Sequence, residues 1–166
     1  MDIAVVGCGS WGTALALLLR NNGHRITLWS HSRRAIDHIQ AHGENSLLPG
    51  ISIPADIPLT TDIAAVSSAS LVVSAVPSFA VRETAEKLRP HLRPEAVLVS
   101  VTKGIERGTS LRMSQILQEV TGHTVAVLSG PTHAEEVARG IPTGCVVACP
   151  DHRVAEQVQA AFMSPV

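Results

Sequence analysis

Short apolar runs alternate with stretches of helical periodicity along this chain. The runs predict strands near 2–6, 25–29, 70–75, 96–101, 124–128 and 144–148, with a short extended piece near 58–60. The intervening segments predict helices near 11–21, 32–41, 62–67, 79–88, 109–120, 132–138 and 151–162. In the last of these, Val154, Val158, Ala161 and Phe162 form one apolar stripe. Asn22-Gly23-His24 supplies a glycine stop for the first helix, and Arg89-Pro90 closes the fourth. Asp151, Ser78 and Thr132 are placed to cap the helices that follow them. Strand–helix alternation of this kind implies right-handed crossovers and a parallel sheet, hence the α/β class.

The first strand, Ile3-Ala4-Val5-Val6, leads directly into Gly7-Cys8-Gly9-Ser10-Trp11-Gly12 and then an amphipathic segment. A G-x-G-x-x-G alone is weak. Between a strand and a helix it has a mechanical meaning: Gly7 permits the tight turn, Gly9 lets backbone approach a pyrophosphate, and Gly12 lets the helix pack closely. The helix start adds unpaired N–H groups and a positive dipole end. The fold expected is a Rossmann-type doubly wound, mostly parallel sheet with helices on both faces, residues 1–166 forming one dinucleotide-binding domain.

Composition agrees with that picture. Hydrophobic residues make up 45% of the 166 and aromatics 2%, so the core is built from Ala, Val, Ile and Leu, as in a sheet buried on both faces. A net charge of −1 gives no reason to invoke nucleic acid. No stretch has the apolar length of a membrane span, and the first strand follows Met1 so closely that no targeting segment is expected. Cys8, Cys145 and Cys149 do not have the close pairs of a zinc site. They read as buried free thiols in a reducing cytoplasm, with no metal.

In an open parallel sheet, ligands bind beyond the carboxyl ends of the strands. The residues there are Gly7 to Gly12, Trp29 to Arg34, Val76 to Phe79, Thr102-Lys103-Gly104, and Ser129 to Ala134. The second group decides cofactor choice. A carboxylate in that region would bind the ribose hydroxyl of NAD. Here Ser30, His31, Ser32, Arg33 and Arg34 precede the first acid, Asp37. Basic and hydroxyl groups suit a 2′-phosphate, favouring NADP(H) and leaving NAD(H) possible. Lys103, beside a glycine at the crevice mouth, suits an anionic or carbonyl substrate. Gly130 and Thr132 stand at a strand-to-helix turn suited to a hydroxyl or phosphate. His133, a lone histidine in a first turn, is left outside the catalytic set.

Taken together, G-x-G-S-W-G-T-A at 7–14, Leu48-Pro49-Gly50-Ile51, Val76-Pro77-Ser78, Val101 to Glu106, and Ser129 to Val137 resemble bacterial-type NAD(P)-dependent glycerol-3-phosphate dehydrogenase. The match runs in order along nearly the whole chain. The resemblance implies dinucleotide contacts from Ser10, Trp11, His31, Ser32, Arg33 and Ala134. It implies that Lys103 meets both cofactor and substrate, and that Gly130 and Thr132 face the substrate phosphate ester. The family often carries a tyrosine before Leu-Pro-Gly; this chain has none, and Leu47 or Leu48 stands there.

The resemblance further implies interconversion of dihydroxyacetone phosphate and sn-glycerol 3-phosphate by hydride transfer, serving phospholipid synthesis in the cytoplasm. The partner would be a phosphorylated triose or polyol, with no nucleic acid or integral membrane association, and the full-length protein a homodimer. The family's helical C-terminal domain, which carries the proton-donating lysine, has no counterpart in these residues, so no catalytic residue is assigned and the chain alone is expected to be inactive. The competing readings are another reductase of the 6-phosphogluconate-dehydrogenase-like group, such as a ketopantoate reductase, and a non-catalytic dinucleotide-binding module.

Overall fold

The computed structural model describes residues 1–165. Seven strands form one sheet: β1 (Asp2–Val6), β2 (Arg25–Trp29), β3 (Leu59–Thr60), β4 (Leu71–Ser74), β5 (Val97–Ser100), β6 (Val125–Ser129) and β7 (Val146–Ala148). Their spatial order is β3-β2-β1-β4-β5-β6-β7. The first six are parallel, with Val6 beside Trp29 on one side and Ser74 on the other.

The side-chain alternation of a strand sends neighbours to opposite faces. Ile3, Val5, Leu71, Val73 and Val99 enter one core with Leu15 and Leu19 of helix α1 (Ser10–Asn21) and Val158 and Phe162 of the helix His152–Phe162. Ala4, Val6, Val72 and Leu98 enter the other, beneath two helices, Val81–Leu88 and Met113–Thr121. With α2 (Arg33–His42) and Ala134–Ala138, these complete the set α1 to α6 in chain order. The largely aliphatic central strands β1, β4 and β5 are therefore covered on both faces, as their composition required.

Several expectations need correction. β7 runs antiparallel to β6, pairing Ser129 with Val146. The cause is α5 (Ala134–Ala138), which packs on α1 instead of crossing the sheet, so the chain re-enters from the carboxyl end of β6. The helix expected from 109 begins only at Met113, because Gly108 and Ser110 have φ of 87° and 60°, outside the helical region. An antiparallel bridge from Ile105 to Arg112 closes that loop. Residues Ile63–Ser68 are 3₁₀ and not α-helical. Asp151 does cap α6, accepting from the Arg153 N–H at 2.9 Å. Ser78 instead opens a 3₁₀ turn before α3 (Val81–Leu88), and α5 is preceded by His133, with no side-chain cap at either helix. Cys8 is buried, but Cys145 is exposed and Cys149 half-buried, since they flank the edge strand.

Candidate functional site

The strand order reverses at β1, whose neighbours are β2 and β4. Crossovers leave β1 and β4 on opposite faces there, opening a crevice beyond the carboxyl ends. It encloses about 590 Å³. Gly9, Ser10 and Trp11 border it, as do His31 and Ser32 after β2, Lys103 after β5, and Thr132 and Ala134 after β6. With Val76 and Pro77 after β4, residues from five separate sequence segments thus meet at the carboxyl ends of the strands, where their positions in the chain predicted.

The glycine turn divides its work. A Cβ on Gly12 would lie 1.8 Å from the Gly7 carbonyl oxygen, so α1 can approach β1 only without one. Gly7 has φ of 121° and lies against the Ala75 carbonyl, where a Cβ would fall 2.7 Å away. Both are packed behind the crevice. A Cβ on Gly9 would meet nothing within 4 Å. Gly9 is also the residue preceding α1, and no side chain caps that helix. Open space in front of uncapped N–H groups is the cradle a pyrophosphate requires.

The next two loops are tied together. The Thr102 hydroxyl donates to the Val76 carbonyl at 2.7 Å, and Gly104, with φ of 135°, packs against Ser78, where a Cβ would lie 2.9 Å from the serine Cβ. The exposed Lys103 ammonium donates to the Gly130 carbonyl at 3.1 Å. That carbonyl also accepts from the Thr132 N–H at 3.0 Å. Gly130 itself is pressed under Gly144, whose carbonyl would sit 2.4 Å from an added Cβ. It serves the site through its backbone and does not border the crevice. Partial desolvation pushes the thiol of the otherwise exposed Cys145 up, with the Lys103 charge opposing.

On the β2 side, the Ser30 hydroxyl accepts from the Ser32 N–H at 3.1 Å, and Ser32 caps α2 by accepting from Ala35 N–H at 3.2 Å. Burial pushes the Cys8 thiol up, and the Ser30 hydroxyl, which also lies against that thiol, opposes the shift. Arg33 is turned away: it pairs with Asp37 at 2.8 Å on an exposed face and is not among the residues bordering the crevice. Its expected cofactor contact would require the side chain to leave that partner.

Two features were not read from the sequence. Arg82 of α3 clasps Glu106 with two hydrogen bonds of 2.7 and 2.8 Å, and reaches Glu119 at 2.8 Å. Thr109 also donates to Glu106. Arg82 and then Thr109 hold the Glu106 carboxyl down at about 2. This clasp fixes the loop that starts at Lys103. The second is Asn45, fully enclosed at 4% exposure and hydrogen-bonded to the glycine turn. Sequence separations of 24 and 37 residues hid both. The only hint was the acid after Thr-Lys-Gly-Ile.

The family model described as NAD-dependent glycerol-3-phosphate dehydrogenase N-terminus matches residues 2–155. The chain belongs to that family. Among its relatives, a glycerol-3-phosphate dehydrogenase [NAD(P)+] of Moorella thermoacetica is 50% identical over 166 residues, covering 99% of this chain and 50% of the relative. That of Thermoanaerobacter sp. is 46% identical over 98% of this chain and 50% of the relative. A solved glycerol-3-phosphate dehydrogenase from Coxiella burnetii superposes with a TM-score of 0.92 at 31% identity, covering 98% of this chain and 51% of that one. The chain spans about half the length of these relatives. The family resemblance read from the motifs is borne out, and so is the fold class.

Proposed function

We propose that this chain is the nicotinamide-dinucleotide-binding domain of an enzyme that interconverts dihydroxyacetone phosphate and sn-glycerol 3-phosphate. The observation that carries the reading is the meeting of Gly9, Lys103 and Ala134 around one crevice at the sheet's reversal point. It is joined by the names of relatives that are 50% and 46% identical. When bound, the nicotinamide supplies or receives the hydride. The residues of this chain bind and orient. Gly9 and the start of α1 receive the pyrophosphate. Ser10, Trp11 and Ala134 border the dinucleotide. His31 and Ser32, and Arg33 once released from Asp37, take the adenosine ribose and favour its 2′-phosphate, so NADP(H) is preferred to NAD(H).

Lys103 then leaves the Gly130 carbonyl to neutralise the substrate's charge and polarise its ketone. Thr132, with the Gly130 backbone, faces the phosphate ester. The proton donor to the new alkoxide is assigned to a helical domain matching the relatives' second half, which would also complete a homodimer. The enzyme would act in the cytoplasm, supplying glycerophospholipid synthesis. No helix among the described residues is long and apolar enough to cross a membrane.

Calorimetric titration of the chain with NADPH and NADH tests the reading. Saturable binding of both, tighter for NADPH, is expected. A folded chain that binds neither overturns the dinucleotide site, and equal affinities overturn the 2′-phosphate preference alone.

A further inference from the structure

Asn45 lies in the loop after α2, far in sequence from the glycine turn and in contact with it. Its side-chain amide donates to the Cys8 carbonyl at 2.9 Å and to the Thr13 hydroxyl at 2.8 Å. Its Oδ1 accepts from the Leu47 N–H at 2.9 Å. The opposite amide orientation would set oxygen against the Cys8 carbonyl and N–H₂ against the Leu47 N–H, so the network fixes which way the group points. The loop around it is braced. Glu44 bridges to Ser52 and accepts from the Gly50 N–H at 3.0 Å, while Leu48 is buried against Ala14 and Ala134. Asn45 is therefore a polar group held rigidly inside the protein, with both of its N–H protons spent on the turn and its helix.

The Cys8–Gly9 peptide is trans. In a trans peptide, C=O and N–H point in opposite directions. Holding the Cys8 carbonyl toward Asn45 turns the Gly9 N–H the other way. Gly9 borders the crevice and has open space where its side chain would be. We propose that Asn45 is a positioning residue for pyrophosphate binding: by clamping the Cys8 carbonyl it presents the Gly9 N–H to the crevice. The proposal rests on the reading of the crevice as a dinucleotide site. Asn45 touches no ligand; it acts through a peptide plane. The same loop seats Leu48 beside Ala134, so one brace sets two walls of the crevice.

The test titrates the chain with ADP, which carries the pyrophosphate, and with adenosine, which lacks it. Asn45→Asp keeps the shape but places an acceptor against the Cys8 carbonyl. ADP affinity is expected to fall about tenfold or more, the scale of a lost hydrogen bond to a charged group, with adenosine affinity changed less than about twofold. Asn45→Ala removes the clamp without a charge and serves where the aspartate variant fails to fold. Thr13→Val spares the Cys8 bond; it is expected to lower the melting temperature and keep ADP affinity within about threefold. In the unaltered chain, the Gly9 amide resonance should shift on ADP addition. Unchanged ADP affinity in a folded Asn45 variant, equal losses for ADP and adenosine, or a Gly9 amide indifferent to ADP each overturn the proposal. If the unaltered chain binds neither ADP nor NADPH, the dinucleotide reading fails instead.

Discussion

The Lys103 ammonium rests on the Gly130 carbonyl, 3.1 Å away, linking the exits of two neighbouring strands. The lysine is thereby aimed along the crevice mouth by backbone that Gly144 presses into place. Lys103→Met removes the charge and keeps most of the stem. The variant is expected to melt within about 1 kcal/mol of the unaltered chain, since an exposed side chain contributes little to stability. Its NADPH affinity should fall by about three- to tenfold, read by calorimetry. Unchanged affinity would remove Lys103 from the cofactor set.

Glu106 gives the chain a pH signature. Its carboxyl is held at about 2 against an ordinary value of 4.5. The folded state therefore binds that proton less readily than the unfolded state. The clasp's contribution is complete above about 4.5 and is lost as pH falls toward 2. Glu106→Gln should be less stable than the unaltered chain at pH 7, and the gap should close on acidification. Denaturant titrations across that range read it, and a gap independent of pH would contradict the assignment. The same variant frees the loop bearing Lys103, so amide exchange should quicken around 103–112.

Gly12 and Gly9 separate by substitution. Gly12→Ala forces a methyl into the Gly7 carbonyl and is expected to cost at least about 1–3 kcal/mol or prevent folding. Gly9→Ala meets open space at an ordinary φ of −74°, so its melting temperature should hold. Its NADPH affinity should drop, because the added methyl stands where a ligand would. A Gly9→Ala chain that binds normally would show the approach to be less close than proposed.

Leu48 is 1% exposed and packs on Ala14 and Ala134, small residues that leave room for it. Leu48→Ala should destabilise the fold by about 2–5 kcal/mol in urea titration. A cost under about 1 kcal/mol would mean that the loop collapses onto α1 without it.

The parts legible in the sequence were those written in adjacent residues. The apolar runs placed β1, β4 and β5 because each is buried on both faces, and β2 and β6 because most of their residues are buried. The strand-turn-helix order at Gly7 to Gly12 located the crevice. β7 was harder, because an antiparallel edge strand differs from a parallel one only in where the preceding segment leaves it, and α5 decides that by packing on α1. The start of α4 turned on the positive φ of Ser110, a conformation that serine rarely adopts. Arg33 looked like a phosphate ligand until Asp37, one helical turn on, was seen to engage it. Asn45 and Arg82 carry no local signal at all, since their partners lie elsewhere in the chain.

The end of α6 is fastened to the end of α1: Asn22 donates to the carbonyls of Ala161 and Met163 at 2.9 and 3.1 Å, the first across 139 residues. Val158 and Phe162 share a core with Leu15 and Leu19. During synthesis, β1 and α1 leave the ribosome long before α6, which covers them. The cover that α6 gives the α1 leucines waits until the intervening residues are made, and the loop that must then close is among the longest the fold contains. The glycine turn at the head of α1 is thus made well ahead of α6, yet the helix behind it is fully seated only after Phe162 has emerged.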